Sequence, residues 1–218
     1  MNHKILYFGF LFFNLLTLSV FPFQKARLSS DEELLLQYKN EILDASKLVD
    51  ISPRIIVSVI FAEHKLNVKP GENVIDYVFA KSGYNSSMGI AQVKISTAIW
   101  IERQIHNPNS QFYLGEEIEK KIPFSSDWNE VIKKLENPKI NIVYAACYIA
   151  MINKLWETVF ELSALTDIKV GIIASIYSLG ILDTTNQIRK PHVDAKMNEF
   201  GETAQEFYES FELRNVFK

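Results

Sequence analysis

Ile140-Asn141-Ile142-Val143-Tyr144-Ala145-Ala146-Cys147-Tyr148-Ile149-Ala150-Met151-Ile152 is the stretch that decides the fold class. It stays apolar from Ala145 to Ile152, and a periodic apolar pattern continues to Leu162. A strand seldom exceeds about eight residues, so a run of this length reads as a helix, buried over at least two turns. Such a helix belongs inside a domain rather than on its surface.

Outward from this run the pattern repeats. Upstream, Val131, Ile132 and Leu135 mark a short amphipathic helix ended by Asn137-Pro138, and a third helix from the start of the chain's helical part runs from Ser96 through Ile105. Ser30 and Glu33 have capping-box spacing, and the apolar positions from Leu34 to about Val49 keep a 3.6-residue period, so one helix is expected there. Ser52-Pro53 opens the next, apolar on most sides through Ile55, Ile56, Val59, Ile60 and Phe61. Downstream, a helix runs from about Asp167 to Leu179 and stops at Gly180, and the tail from Met197 to Phe217 is amphipathic. Residues 66–95 carry most of the breakers and read as a long connection, with at most a short helix around Val74 to Phe79. The stretch from Pro108 to Ser126 reads as loop. No alternating strand pattern appears, and the expected class is all-α.

The 218 residues suit one well-packed domain, with 48% hydrophobic and 22% charged content. Only eight Gly and seven Pro are present, which argues against linker-rich, collagen-like or many-turned β architectures. The formal charge is −3 and the basic residues are scattered, so nucleic acid is not an expected partner. The first 28 residues are of a different material. Lys4 precedes an apolar run from Ile5 to Phe21, which reads as a secretion signal or, uncleaved, as a membrane anchor. The domain proper is then 29–218. The single cysteine, Cys147, has apolar helical neighbours and reads as a buried, inert thiol.

Glu63 stands out chemically. On a helix from Pro53 it shares a face with Ile56, Val59 and Ile60, so a carboxyl group extends an apolar stripe. Burial there raises a carboxyl pKa, as a proton donor near neutral pH requires. The plain alternative is that Glu63 ends the buried part of the helix and reaches solvent or pairs with Lys65 or Arg54. His64 beside it either tunes Glu63 or serves as a structural hydrogen bonder.

Three further segments follow in order: Asn85-Ser86-Ser87-Met88-Gly89-Ile90-Ala91-Gln92; Asn141-Ile142-Val143-Tyr144-Ala145-Ala146-Cys147-Tyr148; and Ile176-Tyr177-Ser178-Leu179-Gly180. With Glu63 ahead of them, residues 48–180 resemble the catalytic domain of lytic transglycosylases, lysozyme-like enzymes that cut peptidoglycan glycan strands. The resemblance implies a lysozyme-like helical fold with a cleft, acting outside the cytoplasm in the periplasm, in the cell envelope or as a secreted protein, without a cofactor. It implies Glu63 as acid and base, Gln92 and the Ser87-Met88 backbone as sugar contacts, Tyr148 as support for the core of the site, and Tyr177 as the group that hydrogen-bonds and orients the Glu63 carboxyl. The chain departs from the family pattern where His64 replaces a Ser, Ile90-Ala91 replaces Leu-Met, Ala145 replaces a Gly and Ser178 replaces an Asn. Two other functions stay open at this point. One is a goose-type-like hydrolase recruiting Glu72 or Asp76 as a second carboxylate. The other is non-catalytic: a module that holds peptidoglycan or a cell-envelope partner, or a membrane-anchored helical interaction protein with no sugar site.

Overall fold

The central apolar run is a helix whose ends are set by local chemistry. In the computed structural model, whose described residues are 29–67, 77, 79–210, 216 and 217, it spans Pro138–Leu162. The Asn137 side chain accepts the N–H groups of Lys139 and Ile140 at 3.0 and 3.3 Å, and Pro138 takes the first turn, where no N–H is needed. All residues from 141 to 152 are buried, so this helix is the axis around which the others assemble.

In chain order the helices are α1 (Ser30–Gln37), α2 (Lys39–Val49), α3 (Pro53–Asn67), α4 (Ile95–Ile105), α5 (Glu116–Lys121), α6 (Trp128–Glu136), the axial α7 (Pro138–Leu162), α8 (Lys169–Leu179) and α9 (Glu199–Glu209), with a 3₁₀ turn at Ala164–Ile168 before α8. The strands among the described residues are β1 (Ser87–Met88) and β2 (Val93–Lys94), antiparallel, with Ser87 opposite Lys94 and Met88 opposite Val93. The protein is all-α, as its periodicity implies. Among the described residues, no helix is long and apolar enough to cross a membrane. The signal or anchor expected in residues 1–28 lies outside the described residues.

Helices α2, α4, α6 and α8 pack against α7, while α3 packs between α1, α2, α8 and α9. Phe61 of α3 stacks on Phe207 of α9 with ring centroids 3.8 Å apart, and α9 lies tightly on α8. Glycine permits that approach: a Cβ on Gly201 would stand 2.3 Å from the carbonyl oxygen of Gly171.

Several local expectations are corrected. The helix expected as one piece from Ser30 to Val49 breaks at Tyr38, because α1 packs on α3 whereas α2 packs mainly on α7. The capping box uses Ser29 and Glu32, one residue earlier than Ser30 and Glu33; the sequence offers both pairs at the same spacing. The segment 108–126 contains α5, whose single buried apolar residue, Ile118, leaves no period to read. The connection 66–95 holds the β1–β2 hairpin, too short for alternation to show, and a helical turn at 79–81.

Two buried polar residues tie the hairpin and loops to the helices. Glu102 of α4 is 2% exposed and accepts the Ser125 N–H and hydroxyl at 2.6 and 2.7 Å, the Lys134 ammonium at 3.2 Å and the Tyr144 hydroxyl. Asn141, wholly buried on α7, accepts the Ala91 N–H and donates to the Met88 carbonyl, both at 2.8 Å. Gly89 between them has φ +73°, and a Cβ there would fall 2.4 Å from the Asn141 amide nitrogen. Replacing Asn141 by Ala leaves a buried donor and a buried acceptor unpaired, at about 1–3 kcal/mol each. The expected loss of stability for Asn141→Ala is about 2–6 kcal/mol, read as a lowered urea midpoint with an unchanged slope.

Candidate functional site

Glu63 sits on the last exposed-to-buried boundary of α3. Ile56, Val59 and Ile60 on the same face are fully buried, and they carry the carboxyl into the protein until Glu63 itself is 6% exposed. It pairs with neither Lys65 nor Arg54. Arg54 instead donates to the Tyr208 carbonyl and lies over the Tyr208 ring. One partner of the carboxylate is Asn67, one helical turn on, whose amide donates to Oε2 at 2.8 Å. Burial pushes the Glu63 carboxyl up to about 7, against the opposing effects of the Asn67 hydrogen bond and the Lys94 charge. A group so placed is part neutral acid and part carboxylate at neutral pH.

The carboxyl opens onto a cleft of about 400 Å³, within the ~300–1,000 Å³ usual for small-ligand sites. Its walls are α3 (Glu63, Asn67), the hairpin (Ser87, Gln92, Val93, Lys94), Thr97 of α4, Tyr148 of α7 and the end of α8 (Tyr177 to Gly180). The fold thus brings Glu63, Ser87, Gln92, Tyr148 and Tyr177 together across more than a hundred residues of sequence. Among the described lining residues Glu63 is the one carboxylate. Glu72 and Asp76, the expected second carboxylates of a hydrolase, lie outside the described residues.

Two expected contacts are corrected. The Tyr177 hydroxyl donates to the Ala91 carbonyl at 2.8 Å, so it orients the hairpin turn rather than the Glu63 carboxyl; Asn67 holds that carboxyl instead. Met88 is turned away from the cleft: its side chain is buried and its carbonyl is taken by Asn141. It lines a separate hollow with His64 and Ile90. The physical cause is twofold: the Asn141 amide takes the Met88 carbonyl, and the pleat buries the Met88 side chain, while Ser87 lines both the cleft and the hollow.

The remaining assignments have clear geometry. Tyr148 accepts the Ile181 N–H at 2.6 Å and so fixes the chain just past Gly180; its hydroxyl pKa is pushed up to about 12 by burial. Tyr177 is raised well above 10, chiefly by burial and then by the nearby Glu63 charge, so both phenols stay protonated. Gln92 sits at φ +45° in the turn and donates its side-chain amide to the Gly89 carbonyl at 3.1 Å. His64 donates Nε2–H to the Ile90 carbonyl at 2.8 Å, which is the structural role. Cys147 is fully buried and its thiol is pushed up to about 12 by that burial. Asn67, Lys94 and Thr97 were missed in the sequence. Only Asn67 carried a usable signal, its position four residues after Glu63 on one helix.

No protein-family model matches the chain, and no curated protein matches it in sequence. The chemistry of the cleft is therefore read from its own residues. They offer a proton donor and acceptor poised near neutrality, a neutral polar wall and one cation.

Titration of Glu63 is coupled to folding. Its pKa is near 4.5 when unfolded and about 7 when folded. The folded state therefore holds the proton more tightly, and the resulting stability is fully present below about pH 4.5 and lost as pH rises through 7. The loss amounts to about 3 kcal/mol. Glu63→Gln, which stays neutral and retains an acceptor for Asn67, is expected to melt higher than wild type at pH 8 and to converge with it near pH 4.5. Asn67→Ala removes a bond that favours the charged form. Its expected effect is an upward shift of the Glu63 titration midpoint, followed by the carboxyl carbon resonance.

Proposed function

We propose that the protein is a lytic transglycosylase of peptidoglycan, with a lysozyme-like domain built around the cleft. The observation that carries this reading is the Glu63 carboxyl, desolvated on the apolar face of α3 and opening onto a polar cleft with no other carboxylate among its described walls. The ordered resemblance of residues 48–180 to the transglycosylase pattern points the same way.

A glycosidase of the usual kind uses two carboxyl groups about 5–9.5 Å apart. A single carboxyl suffices when the substrate supplies its own nucleophile. In the proposed reaction the neutral Glu63 donates its proton to the glycosidic oxygen as the β-1,4 bond between N-acetylmuramic acid and N-acetylglucosamine breaks. The N-acetyl carbonyl of the muramic acid shields the developing charge at the anomeric carbon. The carboxylate then takes the proton of the 6-hydroxyl, whose oxygen closes onto that carbon as a 1,6-anhydro ring. Atoms and charge balance, the acid is regenerated and no water is consumed. Gln92 and Ser87 are the polar groups offered to the sugars, while Lys94 raises the fraction of carboxylate available for the second step.

General acid catalysis contributes ~10²- to 10⁴-fold in rate. Glu63→Gln is expected to lose lytic activity on purified murein by at least the lower figure while keeping its fold. The rate on murein should fall as pH rises above about 7, where the acid form disappears. Product mass separates the chemistries: anhydro ends support transglycosylation, and reducing ends that have gained a water identify a hydrolase. Binding to murein without lysis by the wild-type protein would identify a non-catalytic module.

A further inference from the structure

The cleft does not end at Thr97. Lys94, Thr97, Tyr148 and Gly180 also line a second opening of about 450 Å³, which continues into a third of about 610 Å³ through Trp100, Arg103, Leu182 and Asn186. One wall of this arm is a single face of α4. Thr97, Trp100 and Arg103 recur at intervals of three, and at ~1.5 Å per residue the face runs about 9 Å from Thr97 to Arg103. The other wall is the chain past α8, held by Tyr148 on the Ile181 N–H and by the Arg189 guanidinium on the Gly180 carbonyl at 2.8 Å.

Two cations line this arm against one carboxylate. Lys94 at its inner end and Arg103 further out are exposed, and neither stands within ion-pair distance of a described carboxylate. The acidic residue of the arm, Asp183, keeps its negative charge and turns its oxygens into its own turn, accepting the Thr185 N–H and hydroxyl and the Gln187 N–H at 2.7–3.0 Å, so the arm carries a net charge of one cation. Trp100 presents a half-buried ring between the two cations, steadied edge-to-face by Phe112 and Tyr148. A planar guanidinium with free donors beside an aromatic surface is built to take a carboxylate attached to small apolar groups.

We propose that this arm binds the acidic peptide stem carried by the glycan strand, with Arg103 pairing a stem carboxylate and Trp100 packing against its apolar part. The inference rests on the glycan-cleaving reading of the Glu63 cleft and adds to it a preference for strands that still bear their peptides over strands stripped of them.

The test compares the full-length protein on two preparations of the same glycan strands, one peptide-bearing and one stripped by an amidase. A charge-assisted hydrogen bond at an exposed site gives an expected rate ratio, peptide-bearing over stripped, of about two- to fivefold in kcat/KM. Arg103→Ala should bring that ratio close to one, Arg103→Lys should restore part of it, and raised salt should shrink it for the wild type. Thermal melts confirm that the variants fold. Equal rates of the wild type on both preparations, or a preference untouched by Arg103→Ala, would overturn the stem-binding arm and leave the cleavage reading standing. Cleavage of neither preparation would overturn both.

Discussion

The turn at residues 88–92 is the constraint on which the site depends, and it is held from three helices at once. His64 of α3 donates to the Ile90 carbonyl, Tyr177 of α8 donates to the Ala91 carbonyl, and Asn141 of α7 bridges the Met88 carbonyl and the Ala91 N–H. Within the turn the Gln92 N–H bonds the Gly89 carbonyl, and further backbone groups left buried without partners would be costly. Side chains from the helical core supply the partners. The hairpin thereby becomes a rigid wall of the cleft rather than a loose loop, and Ser87, Gln92 and Lys94 inherit fixed positions relative to Glu63.

The helical packing that steadies the wall also sets the protonation of Glu63. Ile56, Val59 and Ile60 exclude water from the face that carries Glu63, so its carboxyl retains a proton well above the usual carboxylate range. Burial acts in two ways at this position: it keeps the proton on Glu63 close to neutral pH, and it makes the ionised form a burden on the fold. Asn67 moderates that burden by donating to the carboxylate from one turn away.

Positions that differ from the transglycosylase pattern have work of their own. His64 follows Glu63 where the pattern has a Ser, and its longer side chain reaches the Ile90 carbonyl. Ser178 stands where the pattern has Asn; its hydroxyl donates to the Ser175 carbonyl and accepts the Asn198 amide, both at 3.0 Å. Asn198 in turn caps α9 through the Gly201 N–H. Through these bonds the end of α8 is tied to α9, and the lip of the cleft at Ser178 to Gly180 is braced from behind.

Periodicity and capping chemistry along the chain determined the helical class, the buried middle of α7 and the unusual placement of Glu63, because each depends only on residues within a few turns of one another. Spacing also brought Asn67 within reach of Glu63, although nothing local told that it would be the carboxyl's partner. Contacts across long stretches were decided only by the tertiary structure. Tyr177 meets Ala91 rather than Glu63, Met88 faces away from the cleft while Ser87 faces into it, and the Ser30–Val49 region bends at Tyr38 to serve two surfaces. Each of these turns on which groups come to share a buried position, and that is settled by how the helices pack, not by the order of residues in any one of them.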